Sequence, residues 1–162
     1  MLSIKAGEKI YERLQALCCG KINPEMISTL TVEENKGIGT SISKARSIKT
    51  VADAIIKSEL DLKYLDTLSD DEVIKSLTKL HGIGMWTAKM FLIFVLNRQD
   101  LLPFEDVAFL QSYCWMHKTE DKNKNSVIRK CKKWKPYSSI ATRYLYRALD
   151  MGFTKEEFRL GK

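Results

Sequence analysis

The stretch from position 69 to 96 constrains the fold most. Behind Ser69 and Glu72, which have capping-box spacing, Val73, Ile74, Leu77 and Leu80 recur at the three- and four-residue intervals of one helix face. The stripe stops at His81-Gly82-Ile83-Gly84, and helical character resumes over residues 86–96. Two glycines flanking one aliphatic residue break a helix and permit a tight corner, so the segment reads as helix, turn, helix over about residues 73–97. The same periodicity recurs in Ile10, Leu14 and Leu17, and again in Ile48, Val51, Ala52, Ile55 and Ile56. Further helix starts are signalled by Asn23 before Pro24, Thr31 with Glu34, and Thr154 with Glu157. One helix is expected near Asp106 after Pro103, another after Ser126, and a long one over residues 138–151 closed by Gly152; residues 118–125 read as a polar loop. Strand-like alternation is almost absent, so the predicted fold class is all-α.

Composition narrows the partner. With 162 residues, 44% of them hydrophobic, the chain has material for one core, and the expectation is a single domain over residues 1–162. Lys and Arg number 27 against 20 Asp and Glu, a formal net charge of +7 that favours a polyanionic partner. No apolar run approaches the roughly 20 residues that span a bilayer, since Asn97 and Arg98 end the apolar residues 91–96. The four cysteines, Cys18, Cys19, Cys114 and Cys131, have no C-x-x-C spacing and the start lacks a signal-peptide pattern. Reduced thiols and an intracellular location, cytoplasm or nucleoid in a bacterium, are expected, without membrane attachment, as a monomer. Adjacent Cys18 and Cys19 make a poor iron-sulphur ligand pair, and His81 and His117 lack the carboxylate or thiolate companions of a catalytic metal site.

Chemistry concentrates in two places. In Leu80-His81-Gly82-Ile83-Gly84-Met85-Trp86-Thr87-Ala88, the glycines leave backbone N–H groups uncovered just before a helix begins, and the helix terminus adds unpaired donors and partial positive charge. Such a corner suits a phosphate; by itself it is equally a packed turn. In Leu101-Leu102-Pro103-Phe104-Glu105-Asp106-Val107-Ala108, Asp106 stands at an expected N-cap, 20 residues after Trp86.

The string from Leu80 to Ala88 closely resembles the hairpin of the helix-hairpin-helix (HhH-GPD) base-excision DNA glycosylase superfamily, nearest to its 3-methyladenine DNA glycosylase II group. The likeness extends over about residues 2–152 and takes in Gly39-Thr40-Ser41-Ile42-Ser43-Lys44-Ala45 and Trp134-Lys135-Pro136-Tyr137. It implies the helix-hairpin-helix glycosylase fold, with an active-site cleft between helical subdomains, and a duplex DNA substrate. It implies that Leu80, His81, Gly82, Ile83, Gly84 and Thr87 grip a phosphate and that Lys44 is a further DNA contact. It also implies a sodium or potassium ion on the backbone carbonyls of Thr78, Leu80 and Gly82, with no other cofactor required.

Similar glycosylases place their essential carboxylate where Asp106 stands, with Glu105 the adjacent alternative. A carboxylate there stabilises an oxocarbenium-like sugar and orients or deprotonates the attacking water. Bifunctional relatives carry a nucleophilic Lys where this chain has Trp86, so the resemblance implies hydrolysis without strand nicking. Lys89, three residues on, would face elsewhere. Trp86, Tyr146 and Met90 are the implied base pocket, and an indole on a cationic alkylated purine gains about 0.5–2 kcal/mol of cation–π attraction. Met90, Ser138 and the 98–105 loop depart from the family pattern, leaving the lesion open. The resemblance begins inside a family segment, which reads as an N-terminally shortened domain, with Leu2 or Met1 as remnant of a minor-groove wedge. The alternatives are a glycosylase for another lesion class and a non-catalytic helix-hairpin-helix DNA-binding module.

Overall fold

Helices begin where a side chain can occupy otherwise unpaired amides. Asn23 accepts the Met26 N–H at 2.8 Å ahead of Pro24; Thr31 and Glu34 form a reciprocal capping box; Glu72 accepts the N–H (2.9 Å) and hydroxyl (2.5 Å) of Ser69. The computed structural model describes residues 4–159. Leu2 and Met1, read above as wedge candidates, lie outside the described residues. Among those described, every regular element is helical and no helix is long and apolar enough to cross a membrane.

The chain divides into two compact units, Met1–Gly84 and Met85–Lys162. The first holds α1 (Ile4–Leu17), α2 (Pro24–Thr29), α3 (Val32–Gly37), α4 (Ile42–Ile56), α5 (Leu62–Thr67) and α6 (Asp70–Leu77). Its core gathers Cys18, Ile27, Leu30 and Ala52, flanked by Leu14, Leu17, Met26 and Ile48. At six residues, α2 is too short to persist alone. Lys49 of α4 holds it by donating to the carbonyls of Ser28 and Leu30 at its C-terminal end, the latter at 3.0 Å.

The second unit holds α7 (Met85–Phe94), α8 (Val107–His117), α9 (Lys124–Cys131) with a 3-10 turn (Lys132–Trp134), and α10 (Ser138–Asp150). Phe109, Tyr113, Val127, Cys131 and Leu145 form its core. Buried Ser138 and Ser139 fasten the start of α10 to the loop after α7. The Ser138 hydroxyl donates to Asp100 (2.5 Å), and the Ser139 hydroxyl accepts the Leu101 N–H (2.9 Å). That gives the serine at 138 a structural role.

Three expected boundaries differ. The ninth helix starts before Ser126, at Lys124, because Asn123 caps it by accepting the N–H groups of Asn125 (3.0 Å) and Ser126 (3.4 Å). Thr154 and Glu157 start no helix: only a 3-10 turn (Phe153–Lys155) follows Gly152, and the Glu157 carboxylate pairs with Lys118 at 2.5 Å. The helix after the hairpin stops at Phe94, short of the expected Leu96, where Arg143 takes the Ile93 carbonyl and Asn97 turns at φ 53°.

Candidate active site

The hairpin belongs to the first unit. Leu80 closes it by donating to the Leu77 carbonyl and accepting from the Ile83 N–H, both at 3.1 Å. Gly82 sits at φ +84°, and a Cβ there would lie 2.0 Å from Ser47 Oγ and 3.0 Å from Ser47 Cβ, so the corner needs glycine for both angle and space. Gly84 differs. Its φ is ordinary and a Cβ would meet no protein atom within 4 Å, so nothing within the protein demands glycine there. His81, Gly82 and Gly84 are exposed, and Leu80, Ile83 and Thr87 are partly buried. Lys44 is exposed one turn before Ser47 on α4, hence on the helix side that meets Gly82.

The second unit assembles the carboxylate site. Pro103, fully buried, accepts the Asp106 N–H at 2.9 Å and so closes the turn that delivers Asp106 to the start of α8. Asp106 Oδ1 accepts from Ala108 N–H (2.7 Å) and Phe109 N–H (3.4 Å), which makes it the N-cap. Oδ2 faces away from the helix. It accepts the Trp86 indole N–H at 2.5 Å and the Tyr146 hydroxyl at 2.8 Å. The Tyr146 oxygen also lies 3.9 Å from Met90 Sδ. The four residues Asp106, Trp86, Tyr146 and Met90, spread over three helices in sequence, thus meet at one place.

Trp86 is 49% exposed. A core indole would be covered, so structural filling is not its role. Burial first, then the hydrogen bond to and the charge of Asp106, push the Tyr146 phenol above its usual pKa, which leaves it a donor at neutral pH.

Lys89 is engaged elsewhere. Only 6% exposed, its ammonium touches both Glu105 carboxylate oxygens (2.9 and 2.8 Å) and the Leu102 carbonyl (3.1 Å), and sits 3.6 Å over the Phe104 ring. The same pair occupies Glu105, so Asp106 is the carboxylate left facing the indole. His117 packs its ring 4.7 Å from Tyr113 and 5.9 Å from Trp134, within the core of this unit. Cys18 is buried while its neighbour Cys19 is exposed, and no three metal-ligating side chains gather among the described residues.

Two contributors escaped the sequence reading. Phe94, 52% exposed, packs its ring 6.1 Å from Tyr146 and carries Arg143 over its face at 5.4 Å. Arg143 also bonds Asn97 at 3.0 Å, bracing the end of α7. An apolar residue on a helix already counted as apolar gave no signal for Phe94. The Lys89–Glu105 clamp was missed because charges 16 residues apart carry no local pattern.

Known proteins resemble this chain in sequence and in fold. Residues 2–136 match the model of the HhH-GPD superfamily base excision DNA repair proteins. DNA-3-methyladenine glycosylase 1 of Schizosaccharomyces pombe is 32% identical over 150 residues, 90% of this chain and 66% of that one. A solved 3-methyladenine DNA glycosylase from the same yeast, in complex with abasic DNA, superposes with a TM-score of 0.81 at 30% identity, covering 91% of this chain and 74% of that one. DNA-3-methyladenine glycosidase from Bacillus halodurans gives 0.76 at 32% identity, covering 97% and 73%. The chain spans about two thirds of the length of the first yeast relative and under half of some bacterial ones. The helical fold, the glycine corner and the match over residues 2–136 make the chain a member of the HhH-GPD superfamily of base excision DNA repair proteins.

Proposed function

We propose that the chain is a monofunctional DNA N-glycosylase that removes alkylated purines from duplex DNA. The observation that carries this reading is the pair of donors, Trp86 and Tyr146, on the outward oxygen of Asp106. An arriving sugar with cationic character takes over the negative oxygen, and the indole face is free to stack on a base drawn out of the duplex. An alkylated purine is cationic, so it gains from the indole face and leaves without a strong general acid. Indole has no nucleophilic amine and Lys89 is tied to Glu105, so the reaction ends at base release.

The hairpin supplies the grip through the N–H groups of Gly82, Gly84 and the first turn of α7, the Ile83 N–H being taken by Leu80, with Lys44 beside it. A sodium or potassium ion would be held by the backbone carbonyls of Thr78, Leu80 and Gly82, since neutral oxygens suit hard cations. The Leu80 carbonyl keeps a second lone pair beyond the one taken by Ile83. Such an ion would add positive charge to the phosphate grip. No other cofactor is needed for this hydrolysis, and the protein works as a monomer inside the cell, where its DNA is.

The test uses duplexes carrying one defined lesion each, assayed for free base and for strand breaks with and without alkali. Release from N3- or N7-alkylated purines with breaks only after alkali is the expected result; breaks without alkali overturn the reading of Trp86. A second reading, a DNA-gripping module without catalysis, draws on the capping bonds of Asp106 Oδ1, which an ordinary N-cap also makes. Duplex binding with no release from any lesion would establish it.

A further inference from the structure

Between positions 122 and 135 the chain has seven lysines and arginines and no acid. The other 20 cationic side chains are balanced by 20 acidic ones, so this one segment accounts for the whole net charge of +7. In the structure its residues 124–134 are α9 and the 3-10 turn after it, with Lys122 and Lys135 flanking them. Val127 and Cys131 point inward, fully buried, while Arg129, Lys130, Lys132 and Lys133 are exposed. Positions three and four apart are neighbours on a helix, so Arg129 faces Lys132 and Lys133, and Lys130 faces Lys133, all repelling. None of the four is within ion-pair distance of an acid among the described residues; Asp121, which feels the charge of Lys130 and Arg129, accepts the Asn123 N–H at 2.9 Å and leaves the other cations of the ridge uncompensated.

The ridge is also pinned to the loop that carries the active carboxylate. Lys124 rests its ammonium 4.5 Å over the ring of Phe104, two residues before Asp106. At the other end Lys135 pairs with Asp100 at 3.1 Å. Arg129 and Lys133 are separated by about 7 Å of rise, two steps of α-helix and two of 3-10 turn, close to two phosphate steps of one DNA strand at about 3.4 Å each.

We propose that the outer face of α9 and its 3-10 turn is a second DNA contact, which lies along the phosphates of the duplex arm beside the lesion. A self-repelling cation ridge without acids gains most from a continuous polyanion, and release of condensed counterions drives its binding. The inference rests on the reading of duplex DNA as the substrate.

The test measures duplex affinity by fluorescence anisotropy across a salt series for three proteins. These are the wild type, the triple variant Lys130→Gln/Lys132→Gln/Lys133→Gln, and a control, Lys57→Gln/Lys63→Gln/Lys75→Gln, which removes equal charge from exposed sites of the first unit. The ridge variant should lose about 2 to 3 units of log–log salt slope, so that between 50 and 200 mM salt the wild type loses roughly 40-fold more affinity than it does. The control should keep the wild-type slope. Equal slopes in ridge variant and control overturn the proposal. So does a ridge variant that loses affinity for single-stranded RNA but none for duplex DNA. Base release by the wild type with an unchanged ridge slope removes the ridge and leaves the glycosylase; a lost slope without any base release does the reverse.

Discussion

The Trp86 indole N–H donates to Asp106 Oδ2 at 2.5 Å, which ties the first turn of the helix after the hairpin to the carboxylate that caps α8. An exposed tryptophan and a capping aspartate, each ordinary alone, become one device. The indole sets the direction of the outward oxygen while the side chain stays half-exposed.

Asp106→Asn separates capping from chemistry. Asn caps helices about as well as Asp, so the melting temperature should change by no more than a few degrees. Base release should fall by about 100-fold or more, because an amide cannot stabilise a developing cation. Single-turnover release from alkylated duplex, read beside thermal unfolding, checks both; comparable release by the variant removes Asp106 from the mechanism.

The two donors on Asp106 differ in what else they do. Tyr146→Phe loses one hydrogen bond and keeps the ring against Phe94, so release should slow by about 3- to 10-fold with substrate affinity nearly intact. Trp86→Phe loses the N–H but keeps an aromatic face, whereas Trp86→Ala loses both. Alanine should therefore raise the apparent Kd for a duplex carrying a cationic lesion more than phenylalanine does; equal losses would remove base stacking from the account.

The Lys89–Glu105 clamp predicts an asymmetry. Glu105→Ala strands an ammonium that is almost wholly buried, and removing one partner of a buried pair costs about 3–5 kcal/mol. Lys89→Met leaves a carboxylate whose side chain is 31% exposed and can rotate to water, so its cost should be smaller, about 1–2 kcal/mol. Urea unfolding of both variants ranks them, and a costlier Lys89→Met contradicts this account.

The all-helical fold, the glycine corner and the position of Asp106 were legible because each has a local signal: a 3.6-residue period, a Gly-x-Gly break, a carboxylate at a helix start. Trp86 and Tyr146 were legible only through resemblance, since 60 positions separate them and no pattern within either helix links them. Lys89 and Glu105 were invisible for the same reason. Where local signals competed, tertiary contacts decided. Glu157 has the spacing to box with Thr154, yet its carboxylate goes to Lys118, and the helix it advertised does not form.

His117 gives a pH dependence. Burial first, then Lys133 and Lys130, hold its pKa below the ordinary 6.5, and its Nε2 has no hydrogen-bond partner among the described residues. The unfolded chain therefore binds this proton more readily than the folded one. Stability is full above about pH 6.5 and declines as pH falls below it. His117→Phe keeps a ring beside Tyr113 and Trp134 but has no proton to bind, so its melting temperature should be flatter between pH 6.5 and 5. Parallel curves for variant and wild type would assign the acid loss to other groups.

The two hairpin glycines should fail in different ways. Gly82→Ala must accommodate φ +84° and a methyl group 2.0 Å from Ser47 Oγ and 3.0 Å from its Cβ, so it should unfold at lower temperature, with DNA binding lost as a consequence. Gly84→Ala meets no protein atom within 4 Å and has an ordinary φ, so folding should be unharmed or gain about 0.4–1 kcal/mol from the stiffer unfolded chain. If a phosphate is meant to come against that backbone, the methyl group stands in its way. Gly84→Ala should then bind duplex DNA at least 10-fold more weakly while melting no lower than wild type. Undiminished affinity in a folded Gly84→Ala protein would show that the open space at this corner is not where the strand lies, and the hairpin would return to being a turn.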